Sequence, residues 1–336
     1  MKSRQAIQLL CAVTVATSCA AVNPQQLRGG SQVALVPAAR QVDGSRVPFI
    51  NVTFLSEVSD EARAAFQQAA DGWNALILTQ LPDVPLPRGL NTANGCGSDF
   101  EFNFPPQTTL TNLIIFAKVV DIDGRFGTLG AAGPCRESSR VGSHFFPRLG
   151  RMMFDSADVE GLLAAGTFAE TVQHEMGHVL GIGPRWRSAG LVLDEAGPNP
   201  RYAGAGGVSG FKAIGGTEDT VPVEDVGGLG TRGAHWRTSV FSNELMTGFL
   251  SGVEQPLSLM TARSLLDLGY DIDESSPVVD RSYIIGSGPI VNVNETVPDD
   301  VWWGGAEPLD MSDSNMAPAV AVSALSFAAL LLLSSH

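Results

Sequence analysis

The five residues His174-Glu175-Met176-Gly177-His178 bring together the side chains that metal-assisted hydrolysis needs. On a helix, imidazoles at i and i+4 rise on one face about one turn apart, close enough to bind one ion. Glu175 stands beside the first imidazole and can reach a water on that ion without ligating it, which is the station of a general base. A catalytic zinc site requires a third protein ligand and keeps one position open. The chain has five histidines, so the search for that ligand is short. His144 precedes the motif among Phe145, Phe146 and Pro147, and His336 ends the chain. The remaining histidine is His235, in Gly-Ala-His-Trp, 57 residues after His178. Glu244 is the alternative donor, because glutamate takes the third position in some zinc peptidases. It lies two residues before Met246, where a structural role is the better reading.

These side chains need elements to hold them. Thr167 followed by Glu170 spells a capping box, opening a helix that carries Val172, His174, His178 and Leu180 and is ended by Gly181, Gly183 and Pro184. Upstream, Ile50, Val52 and Phe54 alternate with polar residues across Phe49–Leu55, as in a half-buried strand. Ser59 then caps a helical pattern of Ala62, Ala65, Phe66, Ala69, Trp73, Leu76 and Ile77 that would back the sheet. Three prolines in Leu81–Pro87 stop it, Leu113–Val120 is the next strand, and Arg151–Phe154 is a shorter one. Gly124–Gly133 is loop-like, and Arg185–Gly233, rich in Gly and Pro, is expected to be irregular. Ser258 opens a last helix with Ala262, Leu265 and Leu266 inward, stopped at Gly269, with Asp267 and Tyr270 fixing it. The expected class is α+β: a twisted mixed sheet with a backing helix and an active-site helix, then a largely irregular C-terminal lobe with one helix.

Composition narrows the function classes. Hydrophobic content of 44% and charged content of 17% describe a chain that buries a core. A net charge of −14 repels polynucleotides and anionic headgroups, which argues against nucleic-acid partners. Lys2 and Arg4, the apolar run Ala6–Ala16 and the small residues that follow have the form of a secretory signal. Cys11 and Cys19 fall inside it, so in an oxidising compartment Cys96 and Cys135 should pair. Asn51 and Asn294 begin sequons and are glycosylation candidates. Near the far end, Ala317–Leu333 is an almost unbroken apolar run with no basic residue after it and small residues upstream. That arrangement fits a lipid-anchor signal better than a retained tail helix. The expected organisation is a signal peptide over 1–21, a linker or short pro-segment over 22–45, and a catalytic domain over 46–275. Within that domain lie an N-lobe (46–181), an inserted loop (182–233) and a C-lobe (234–275); a stalk (276–315) and the anchor signal (316–336) follow.

The extended metzincin pattern H-E-x-x-H-x-x-G-x-x-H is kept here as far as Gly181, but Pro184 takes the last histidine's place. With the long insertion, Val221-Pro-Val-Glu-Asp225, Gly233-Ala-His-Trp236, Glu244-Leu-Met-Thr-Gly248 and Leu265-Leu-Asp-Leu-Gly-Tyr270, the chain resembles the leishmanolysin-type zinc peptidases over roughly Phe49 to Asp273. The resemblance implies one catalytic Zn2+ held by His174, His178 and His235, with Glu175 as base and Met246 packed beneath the metal as the turn methionine. It also implies endopeptidase activity on polypeptides and attachment at the extracellular face of the membrane, by a lipid anchor or a tail helix. Residues 22–45 contain no cysteine, so the zinc-capping cysteine of the larger relatives has no counterpart there. The competing reading is a catalytically silent surface adhesion or binding protein on the same fold.

Overall fold

A computed structural model describes residues 41–42, 45–125, 127–135, 138–228, 230–249, 253–289 and 320–323. The expected signal peptide, almost all of the linker, Asn294 and most of the carboxy-terminal apolar run lie outside them. Among the described residues no helix is long and apolar enough to cross a membrane.

The protein is α+β. Strands β1 (Ile50–Phe54), β2 (Leu113–Val120), β3 (Thr128–Pro134), β4 (Leu149–Asp155) and β5 (Val320–Ser323) form one mixed sheet in the order β5-β3-β4-β2-β1. β1, β2 and β4 run parallel, whereas β3 is antiparallel to β4 and accepts β5 antiparallel on its outer edge. Thr128–Pro134 corrects the expectation of a loop over Gly124–Gly133. The segment carries little of the β-branched signal of a strand because it is packed too tightly for it. A Cβ on Gly130 would stand 3.0 Å from the Phe154 ring and 3.3 Å from Glu175 Oε1, so close approach dictates glycine there.

Successive residues of β2 face opposite ways. Leu113, Ile115 and Ala117 join the main core beneath the helices, while Phe116 joins a second cluster with Cys96, Phe100, Phe104, Leu110, Cys135 and Leu149. The Cys96–Cys135 disulfide, as expected, closes that second cluster. On the helical side, α1 (Asp60–Leu76) is capped by Ser59, whose hydroxyl accepts from Ala62 N–H at 3.2 Å, and buries Ala62, Phe66, Ala69, Trp73 and Leu76. A short α2 (Ser156–Ala165) leads into α3 (Phe168–Leu180). Edge-on contacts between Phe66, Phe154 and Phe168, with centroids 5.3–5.8 Å apart, lock α1, β4 and the start of α3 together.

The insertion is more ordered than its composition suggests. Two-residue strands at Val192–Leu193, Arg201–Tyr202 and Val221–Pro222 pair side by side, and helix α4 (Ala205–Ala213) lies between the last two. Trp186, Tyr202 and Trp236 pack ring against ring, with centroids 4.5–5.2 Å apart, and join this half to the main core. The last helix, α5 (Leu259–Asp267), is capped by Ser258. Asp267 accepts from Tyr202 Oη and from Gly206 and Gly207 N–H at 2.7–2.8 Å, so it fastens α4 to α5. Beyond residue 275, where the stalk was expected to begin, Val279 and Tyr283 are still buried and Val279–Asp280 pairs with Leu257–Ser258.

Candidate metal centre

The helix that carries the motif is held from both ends and from behind. The Trp73 indole on α1 donates to the carbonyl of Gln173 at 2.9 Å, one residue before His174. At the amino end the expected capping box does not form. Thr167 makes no side-chain cap, and the Glu170 carboxylate instead accepts from Gln255 N–H at 3.0 Å, tying the helix start to the C-lobe. At the carboxyl end Gly181 turns the chain (φ 110°), and Tyr270 Oη donates to the carbonyl of Leu180 at 2.8 Å. Tyr270 therefore secures the end of the motif helix as well as following α5.

His174, His178 and His235 are all fully buried, and their Nε2 atoms converge at separations of 2.8, 3.0 and 3.2 Å. Each ring has its other nitrogen occupied by a backbone carbonyl. Nδ1–H of His174 donates to Leu245 O at 2.6 Å, that of His178 to Ile182 O at 2.8 Å, and that of His235 to Thr231 O at 2.9 Å. Those bonds fix the tautomer, leaving three Nε2 lone pairs aimed at one another. Burial, with the neighbouring His235 adding to it, pushes His174 down to about 3; burial pushes His235 down to about 4 and, with both neighbouring rings, holds His178 well below the usual range. The rings are therefore neutral at ordinary pH. Three lone pairs in a dry site repel unless a cation sits among them, and the set His174, His178, His235 has the donor chemistry of a metal site.

Glu175 adds a second feature that points to a ligand. It is fully buried, neither carboxylate oxygen has a hydrogen-bond partner, and burial pushes its pKa well above the carboxylate range. Three neutral imidazole nitrogens are a donor set suited to a divalent transition metal. The residues present fit the group that the motif implies.

Met246 is fully buried and packs against α3 at Gly177. Its contact with the helix explains a residue the sequence reading passed over: a Cβ on Gly177 would stand 2.7 Å from Met246 Sδ and 3.0 Å from its Cε. The signal was a glycine in the middle of a helix, which costs about 1 kcal/mol relative to alanine and so marks a close approach. Glu244, the alternative ligand, is no part of the cluster. Its carboxylate accepts from Met246 N–H, Ser258 N–H, Ser258 Oγ and Thr261 Oγ1. Glu224 is a second buried carboxylate, close to His235, that pattern reading left without a role. It accepts from Thr238 N–H and Oγ1 at 2.9 and 2.7 Å and from Asp225 and Val226 N–H at 3.1 and 3.4 Å. His144 is exposed in a hairpin strand, His144–Pro147, outside the cluster, and Asn51 is exposed on β1. No family model and no curated protein matches the chain.

Proposed function

We propose that the chain is a zinc-dependent endopeptidase of the metzincin type, similar to the leishmanolysin-type peptidases, that hydrolyses extracellular or surface polypeptides. The observation that carries the proposal is the buried convergence of His174, His178 and His235 Nε2 beside the unpartnered carboxylate of Glu175. Bound among those nitrogens, zinc would polarise the scissile carbonyl and acidify a water. Glu175 takes a proton from the attacking water at a carboxylate oxygen and passes it to the leaving amine. Its burial raises its proton affinity, which favours holding the proton between those two transfers. The three histidines stay neutral and oriented throughout, because each Nδ1–H is committed to a carbonyl.

The outer edge of β3 supports a polypeptide substrate. Val320–Ser323 lies antiparallel on it, with Val322 opposite Gly130, so this edge takes extended backbone close to Glu175. On the form of its two ends, the enzyme works outside the cell and is attached by a carboxy-terminal lipid anchor.

The test is cleavage of casein by the purified protein, with zinc content measured on the same sample. Chelation should abolish cleavage, and Glu175→Ala should lower it by about 10²–10⁴-fold with zinc retained. A Glu175→Ala protein that cleaves as well as the parent rules the mechanism out. A parent that holds zinc and cleaves no peptide is the silent binding protein instead.

A further inference from the structure

Glu244 is fully buried, two residues from Met246, and no described ion pair includes it. Four donors surround its carboxylate. Oε2 accepts from Met246 N–H at 2.7 Å, and Oε1 accepts from Ser258 N–H at 3.1 Å, Ser258 Oγ at 2.7 Å and Thr261 Oγ1 at 2.5 Å. The Met246 N–H belongs to the same planar peptide as the Leu245 carbonyl. That carbonyl accepts from His174 Nδ1–H at 2.6 Å, the shortest of the three bonds that orient the histidines. The carboxylate thus grips one side of a peptide plane whose other side grips the imidazole. A negative charge on the N–H side polarises the peptide and makes its oxygen a stronger acceptor, which in turn makes His174 Nε2 a stronger donor to a cation.

The other carboxylate oxygen reaches toward the third histidine. Thr261 Oγ1 donates to Oε1 and accepts from the Trp236 indole N–H at 2.8 Å, and Trp236 N–H donates to Met246 O at 3.0 Å. Trp236 directly follows His235. One buried charge therefore ties the supports of two histidines that come from opposite halves of the site.

We propose that Glu244 is a positioning residue for the metal: it anchors the Leu245–Met246 peptide that orients and polarises His174, and through Thr261 and Trp236 it holds His235 in register. The inference rests on the zinc reading of the three histidines. Glu224 provides the control, since it is equally buried with four donors, but none of the peptides that its carboxylate contacts carries an acceptor for a histidine ring.

The experiment measures zinc release from the purified holoprotein into a chelator for the parent, Glu244→Gln and Glu224→Gln, with melting temperatures alongside. Glu244→Gln should release zinc at least about tenfold faster, while Glu224→Gln, at a comparable loss of melting temperature, should stay within about threefold of the parent. Equal release from Glu244→Gln and parent, or equal acceleration in both variants, overturns the proposal and leaves the zinc reading intact. If Glu244→Gln does not fold, the parent alone decides. With histidine nitrogens labelled, the Nδ1–H proton of His174 should resonate furthest downfield of the three, and any other order overturns the proposal. A parent that binds no zinc overturns the site reading and this inference with it.

Discussion

The two halves of the candidate metal centre are built by different physics. His174 and His178 come from one turn of α3, and the helix itself sets their spacing, so the surrounding structure has only to aim the rings. His235 comes from a loop, held by hydrogen bonds to the main chain of Glu224, Thr231 and Met246 rather than by a repeating ladder. The helical half is stabilised by apolar stripes against the sheet, and the loop half by main-chain bonds and by the buried Glu244 carboxylate with its four donors, next to an aromatic cluster. Local geometry is inexpensive to specify where the backbone repeats. Where it does not, polar networks must supply the precision, and they work only when fully satisfied.

The sharpest way to break this comparison is to remove one ligand from each half. His178→Ala and His235→Ala should both weaken zinc binding by more than about a hundredfold, the ceiling for losing a mere outer partner. Metal analysis of the dialysed proteins checks it. A His235→Ala protein that keeps stoichiometric zinc would show that the loop half contributes no ligand, and the centre would have to be read again from α3 alone.

The same contrast explains what pattern reading could and could not recover. The strand at Ile50, the capped helix after Ser59, the strand at Leu113 and the motif helix all carry their period in their apolar residues, and each is found in place. The pairing of Cys96 with Cys135 was legible once the form of the amino-terminal segment set Cys11 and Cys19 aside. β3 was missed because its contacts demand small residues, and glycine erases the period of a strand. α4 was missed because its sequence, Ala-Gly-Gly-Val-Ser-Gly-Phe-Lys-Ala, has weak helix propensity and depends on Asp267 for its first turn. Thr167 and Glu170 spell a cap that the fold does not use, since Glu170 serves the C-lobe instead. Glu224 and Glu244 have no periodic signature, because a buried carboxylate is defined by partners distant in sequence.

A second test asks whether the scaffold can be weakened without touching the centre. The disulfide closes a span of 39 residues across the face of the sheet away from the histidines. Replacing both cysteines by serine should cost about 3–4 kcal/mol of stability by the chain-entropy estimate. Zinc release should remain within about twofold of the parent. Denaturant unfolding and chelator kinetics on the same samples read both. A large change in release would mean that the second cluster, through β3, takes part in positioning the site after all.

The smallest expected effect probes the seam where the halves touch. Gly177 lies on α3 between the two motif histidines, and Met246 approaches it from the loop half. In an exposed helix Gly177→Ala would stabilise by about 0.8–1.0 kcal/mol. Here the added methyl would meet Met246 Sδ at 2.7 Å and the Trp73 ring at 3.3 Å, and crowding of a packed core costs about 1–3 kcal/mol. The two terms oppose each other, so Gly177→Ala should be destabilising by about 1 kcal/mol. Met246→Ala alone leaves a cavity worth about 2–5 kcal/mol. In the double variant the new methyl enters space that Met246 has vacated, so the closest contacts are relieved, leaving only the Trp73 ring, while the helix gain remains. The double variant should therefore be more stable than the sum of the single effects predicts, by at least about 0.5 kcal/mol. Additive effects would show that the methionine and the helix do not press on each other.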